Sequence, residues 1–220
     1  MPEKIVITGM SIISSLGFTL EENWAHLCAG KSGVGPITLF DPSGLQTRIA
    51  AQLPDNFDDY SRQYIKKRAA SQMTRVTRMA VTASLDAMKH SGNDRGIEDP
   101  LRGAVVMGIV NTGNSSSEKG TTLQNTIFKS MTNAIPAWIS MEFGLTGPAY
   151  AINTACASSA YAIAQGCHLI RSGQADMVIA GGADSIVNFE EISGFNALYA
   201  LSVANEPPEK ASKPFSLDRD

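Results

Sequence analysis

The sequence predicts a layered α/β fold with a mostly parallel sheet, and three observations predict it. Short apolar runs rich in β-formers occur at residues 5–8, 104–110, 149–153 and 177–180. Runs apolar at consecutive positions suit strands covered on both faces. Between them stand segments whose apolar residues recur every three or four positions, as in amphipathic helices. Alternation of the two implies parallel pairing, because a parallel strand needs a crossover before it can rejoin its neighbour.

Taken in order, residues 5–8 open as a strand, and Gly9, Ser11, Ser14, Ser15 and Gly17 interrupt the apolar run before Phe18. The run is too short to span a bilayer and too broken for a secretion signal, so strand and turn are expected. Residues 21–29 form the first helix, with Trp24, Leu27 and Cys28 on one face. Residues 73–89 form a longer one, closed by His90 and Gly92. Residues 133–143 and 157–172 supply two more. The last carries no charge before Arg171, so it is expected to be buried, and Gly173 is its left-handed stop. Residues 206–210, Glu-Pro-Pro-Glu-Lys, make a polar loop, and no internal repeat interrupts the chain.

Composition narrows the function classes. A chain of 220 residues, 43% hydrophobic and 18% charged with net charge −3, is long enough for one compact unit with a sizeable core. A mildly acidic total argues against a nucleic-acid module, which would carry a basic face. Three cysteines fit a reducing cytoplasm, and no membrane segment is expected. Cys156 and Cys167 are separated by a helical rise of about 16 Å, beyond disulfide or shared-metal reach. Cys28 and Cys167 are expected in the core. No cluster of His, Cys, Asp and Glu has metal-ligand spacing, so no metal is expected. Gly181-Gly182 lacks the continuation of a phosphate loop and indicates close backbone approach instead.

The chemistry points to Cys156. It ends a short extended run and begins the uncharged helix, where free N–H groups and aligned peptide dipoles favour negative charge and so activate a thiol. Unpaired cysteine more often packs as a small hydrophobe. Against that reading, small and hydroxyl residues crowd both sides of the sulfur in Ala151-Ile152-Asn153-Thr154-Ala155-Cys156-Ala157-Ser158-Ser159-Ala160 and leave room for a substrate. Asn153 and Thr154 are expected to cap the helix's first turn. The three histidines do not complete a catalytic pair: His168 is about 18 Å from Cys156 along the helix axis, His26 lies on the first helix, and His90 ends a long one.

Residues 153–159 resemble the nucleophile elbow of the β-ketoacyl-acyl-carrier-protein synthases, the condensing enzymes of fatty-acid and polyketide assembly. Ile5-Val6-Ile7-Thr8-Gly9-Met10, Asn23-Trp24, Gly30-Lys31-Ser32-Gly33-Val34, Phe143-Gly144-Leu145-Thr146-Gly147-Pro148, Ala180-Gly181-Gly182-Ala183-Asp184 and Ser212-Lys213-Pro214-Phe215 through Arg219-Asp220 continue the resemblance in order. It implies a thiolase-like layered fold, in which two similar halves, each a five-stranded mixed sheet between helices, pack together. Residues 1–220 correspond to the first half, and the second is absent from this chain.

The resemblance also implies a reaction and its partners. Cys156 takes an acyl group from the phosphopantetheine of an acyl carrier protein, and decarboxylated malonyl carrier then attacks that acyl group. No separate cofactor is needed. A homodimer, or a heterodimer with a related subunit, pairs residues 149–153 across its axis. Lys66, Lys67 and Arg68, in a basic run from Arg62 to Arg78, are expected to contact the acidic carrier, although a charge run is commonly just a solvated face. Asn111 and Thr112 stand beside the acyl pocket where apolar or glycine residues are usual, either as a polar wall or as a hydrogen-bonded turn. Residues 121–132 are short and lack the family's prolines, and Pro136 replaces a small residue. The family's histidine pair has no match here, so this chain alone is expected to accept an acyl group without completing condensation. The alternative is a non-catalytic chain-length or scaffold subunit, which typically lacks the cysteine; a cysteine hydrolase would need a base that the sequence does not show.

Overall fold

The computed structural model describes residues 4–93, 97–113 and 123–219. In chain order its elements are α1 (Leu20–Cys28), β1 (Val34–Pro36), β2 (Ile49–Ala51), α2 (Phe57–Ser61), α3 (Lys67–Ala70), α4 (Arg75–His90), β3 (Gly103–Gly108), α5 (Leu123–Ser130), α6 (Ala134–Phe143), β4 (Ala149–Ile152), α7 (Ser158–Arg171), β5 (Met177–Gly182) and α8 (Phe189–Ala197). Where one compact unit is expected from length, contacts divide the chain into two. One comprises Met1–Ser11 with Asp58–Ser185, the other Ile12–Phe57 with Ile186–Asp220.

The first unit is a parallel sheet between helices, in the strand order β4-β3-β5. Strand β3 is central and buried at every position, which is why its sequence, Gly-Ala-Val-Val-Met-Gly, carries no polar alternation. Its side chains still alternate by face. Val105 and Met107 join Val76, Val81, Ile135 and Ile139 in a core under α4 and α6, while Ala104 and Val106 pack with Ala162 and Leu169 under α7. Each fully buried valine contributes about 1.5–3 kcal/mol of hydrophobic stabilisation. The caps follow local rules: the Thr74 side chain accepts from the Thr77 N–H at the start of α4, and α6 ends at Gly144 with φ +64°.

The second unit holds the β1–β2 antiparallel pair, with Val34 opposite Ala51. Helix α1 starts with a capping box in which Thr19 and Glu22 satisfy each other's backbone N–H groups. Its buried residue is not an apolar one. Asn23, 1% exposed, donates to the Gly17 and Thr19 carbonyls at 3.0 and 2.8 Å and accepts from the Ser14 hydroxyl, which pins the turn before the helix. The Ser14–Gly17 turn expected from sequence is closed by reciprocal backbone bonds of 2.9 and 3.2 Å. Farther along, Asn196 Nδ2 donates to the Thr47 hydroxyl, and that hydroxyl donates to the Ser202 carbonyl, joining α8 to the β2 approach.

Four expectations need correction. The five-stranded mixed sheet is a three-stranded parallel sheet among the described residues. Residues 5–8 form no strand there, since a strand persists only where a neighbour takes up its ladder bonds, and Val6 and Ile7 stand 70% and 77% exposed. Helix α7 is half-buried: Ala162, Gly166 and Leu169 face the sheet, while Tyr161, Ile163 and His168 are exposed. Lack of charge therefore reported an apolar outer face, not enclosure on all sides. Cys28 is exposed together with Trp24 and Leu27, because α1 turns Asn23 inward instead. No helix among the described residues is long and apolar enough to cross a membrane.

Candidate active site

The three parallel strands deliver their following loops to one edge of the sheet, since Gly108 is in register with Ile152 on one side and with Gly182 on the other. In open α/β sheets this carboxyl edge is where ligands bind. Cys156 follows β4 by four residues, Asn111 and Thr112 follow β3, and Asp184 follows β5. Backbone bonds knit the edge: Ile109 N–H donates to Ile152 at 3.0 Å and Ala183 N–H to Gly108 at 3.2 Å. The Asp184 carboxylate accepts from the Asn111 N–H at 3.2 Å, which ties the β3 loop to the β5 loop.

Cys156 sits on a tight elbow between β4 and α7 and is exposed. Ala155, just before it, has φ +52°, the left-handed region that costs a non-glycine residue about 1–2 kcal/mol. The elbow is closed by local bonds. Asn153 Oδ1 accepts from the Ala155 N–H at 3.1 Å, and Ala157 and Ser158 donate backbone N–H groups to the Thr154 and Ala155 carbonyls. Asn153 and Thr154 do not cap α7 as expected; the cap position falls to Ala157, without a side-chain bond. The physical reason is that the elbow uses Asn153 before the helix has started.

Two glycines let α7 begin so close to the strand ends. A Cβ on Gly108 would lie 2.3 Å from the carbonyl carbon of Ser158, and one on Gly182 would lie 1.9 Å from the Ser159 hydroxyl. Close approach, expected for Gly181-Gly182, is thus required at Gly182. The Cys156 N–H makes no hydrogen bond among the described residues. The thiol and an unspent donor therefore stand together at an open site, which is the pairing that attack on a carbonyl requires.

The other expected site residues lie as follows. Thr112 is buried and donates its hydroxyl to the Ser130 carbonyl at 3.0 Å, and Asn111 Oδ1 accepts from the Gly113 N–H at 3.0 Å. Residues 108–114, which carry Asn111 and Thr112 and resemble the family's glycine-rich turn beside the acyl pocket, end at Asn114, which lies outside the described residues, as do Thr121, Thr122 and Asp220 of the other motifs. Lys66, Lys67 and Arg68 are exposed on and just before α3, a separate element from the elbow. Within that basic run Arg62 and Arg78 pair with Asp59 and Asp58 at 2.5 and 2.8 Å, whereas Lys66, Lys67 and Arg68 form no ion pair among the described residues. His26 Nδ1 donates to the Leu16 carbonyl and His90 Nδ1 accepts from the Met10 N–H, both backbone contacts. No group of three or more His, Cys, Asp or Glu among the described residues is placed to hold a metal. Ala155 and Ser158 fall within the elbow read from sequence, but the left-handed φ of the first, the bonds of the second's hydroxyl and the bond from the Asn111 N–H to Asp184 were not foreseen; of the crowding there, only Gly181-Gly182 gave a sequence signal.

A concavity of about 660 Å³ belongs to the other unit, lined by Pro36, Arg48, Ile49 and the segment from Asn205 to Pro208. It holds no nucleophile, so the chemistry favours the elbow.

A cysteine elbow at the carboxyl edge of a parallel sheet, with helices on both faces, fits the thiolase-like class of folds. A crystal structure of a beta-ketoacyl synthase from Burkholderia phymatum superposes with a TM-score of 0.79 at 27% identity, covering 98% of this chain and 55% of that one. The ishigamide ketosynthase/chain length factor superposes with a TM-score of 0.75 at 28% identity, covering 88% and 50%. The chain belongs to the family described as beta-ketoacyl synthase, N-terminal domain, whose model matches residues 2–218. It is 34% identical over 227 residues to 3-oxoacyl-[acyl-carrier-protein] synthase 2 of Vibrio cholerae, covering 99% of this chain and 54% of that protein. The chain spans about half the length of the curated relatives it matches.

Proposed function

We propose that this chain supplies the acyl-accepting cysteine of a β-ketoacyl-carrier-protein synthase. The observation that carries the reading is the exposed Cys156 on a strained elbow at the sheet's carboxyl edge, with its own N–H unspent. In the step assigned to it, the Cys156 sulfur bonds to the carbonyl carbon of a carrier-bound thioester. The carbonyl oxygen gains charge against the Cys156 N–H, the carbon–sulfur bond to the carrier's phosphopantetheine breaks, and that thiol leaves with the proton given up by Cys156. No separate cofactor enters this step.

The family's histidine pair, which stabilises the enolate of the second step, has no counterpart in His26, His90 or His168. Residues outside this sequence, in the same polypeptide or in a partner subunit, supply it. Lys66, Lys67 and Arg68 are the surface for the acidic carrier, supported by their exposure and by the neutralisation of the flanking arginines. Asn111 and Thr112 border the acyl site from the β3 loop. The edge strand β4 is the element that pairs across a dimer axis, with a copy or with a related subunit, and the cytoplasm is the expected compartment. Retention of an accessible cysteine favours the catalytic reading over a chain-length subunit.

Incubation with a short acyl thioester, followed by peptide mass spectrometry, tests the assignment. Acyl mass should appear on Cys156, vanish in Cys156→Ala, and yield no β-ketoacyl product when malonyl carrier is added to the chain alone. Acylation at Cys28 or Cys167 in place of Cys156 would refute the site, and efficient condensation would refute the division of labour.

A further inference from the structure

Ser158 is the first residue of α7 and only 3% exposed. Its hydroxyl does two things at once: it accepts from the Thr154 N–H at 2.9 Å and donates to the Ala155 carbonyl at 2.6 Å. Those two groups flank the left-handed Ala155 peptide that aims Cys156 outward. A serine hydroxyl this buried satisfies both of its hydrogen-bond roles within the turn, so it locks the turn without offering itself to solvent or substrate.

The backbone of Ser158 is fixed by an independent contact. Gly108 of the central strand approaches so closely that a Cβ there would sit 2.3 and 2.5 Å from the Ser158 carbonyl carbon and oxygen. One end of Ser158 is thereby pressed against the most buried strand of the sheet, and the other end grips the elbow. We infer that Ser158 is a positioning residue for Cys156, transmitting the rigidity of β3 to the reactive sulfur by bracing Ala155 in its strained conformation. This inference rests on Cys156 being the reactive thiol.

The mechanism has a definite consequence. Without the hydroxyl, the Thr154 N–H and the Ala155 carbonyl lose a partner, and Ala155 can relax to negative φ, turning the Cys156 sulfur and N–H away from their shared site. The effect is on orientation and on the local field, so it should fall on Cys156 alone among the three cysteines.

The test is the rate of iodoacetamide labelling at each cysteine between pH 6 and 9, read by peptide mass spectrometry on the folded chain alongside its thermal midpoint. Wild-type Cys156 should label selectively. Ser158→Ala should slow it about tenfold, leaving exposed Cys28 as the unchanged internal reference. Ser158→Thr, which keeps the hydroxyl, should label within about threefold of wild type and serves if the alanine variant does not fold. Selective wild-type labelling that Ser158→Ala leaves unchanged, or a folded Ser158→Thr as slow as a tenfold-impaired variant, overturns the positioning role alone. A wild-type Cys156 that labels no faster than Cys28 overturns the condensing reading and this inference with it.

Discussion

Ala155 has a backbone conformation that its side chain opposes, and the surrounding bonds hold it there. Asn153 Oδ1 and the Ser158 hydroxyl both engage its peptide groups, so the strain is offset locally by hydrogen bonds that close the elbow. Glycine adopts positive φ at no steric cost, whereas it ordinarily loses about 0.5–1 kcal/mol against alanine. Ala155→Gly should therefore leave stability unchanged or slightly raised, as measured by urea denaturation; a loss of more than about 1 kcal/mol would show that the alanine side chain contributes packing that offsets its strain. Cys156 was legible from its small neighbours and its place after an extended run. The roles of Ala155 and Ser158 were not, because positive φ at alanine leaves no compositional trace and serine is common in any first helical turn.

Among the elements, β3 and α7 decide the site. The strand is buried on both faces, so its consecutive apolar residues were enough to find it from sequence. The same reasoning misjudged α7, whose outer face is exposed although it has no charge before Arg171. It also misjudged α1, where the single buried residue is Asn23 and the apolar face points to solvent. Periodicity locates a stripe, but it does not say which stripe is covered. The contact between the two deciding elements passes through Gly108. Gly108→Ala should force the start of α7 away from the sheet, lower stability by about 1–3 kcal/mol and slow acylation of Cys156. Chemical denaturation and thioester labelling together measure both effects, and a variant unchanged in either would show that the helix start tolerates displacement.

At the scale of the whole molecule, the elbow and the basic residues on and just before α3 stand on separate elements. If these three cations receive the carrier, reversing them should hinder its docking without touching the thiol. The Lys66→Glu, Lys67→Glu, Arg68→Glu variant should raise the apparent KM for an acyl carrier about tenfold or more and leave acylation by a small thioester unchanged. Equal kinetics with the carrier would remove the surface assignment. The order of motifs along the chain, the central strand and helices α1, α4, α6 and α7 were determined by sequence alone, and Cys156 was singled out there as the candidate nucleophile, because each depends on neighbours within a few residues or on burial on every side. Tertiary structure alone decided that residues 5–8 stay unpaired, that α7 shows an open face, and that the left-handed Ala155, Ser158 and Gly108 together aim Cys156. Those outcomes depend on which distant segments meet, and hydrogen-bond partners and close packing across the sheet edge are supplied only when the strands align.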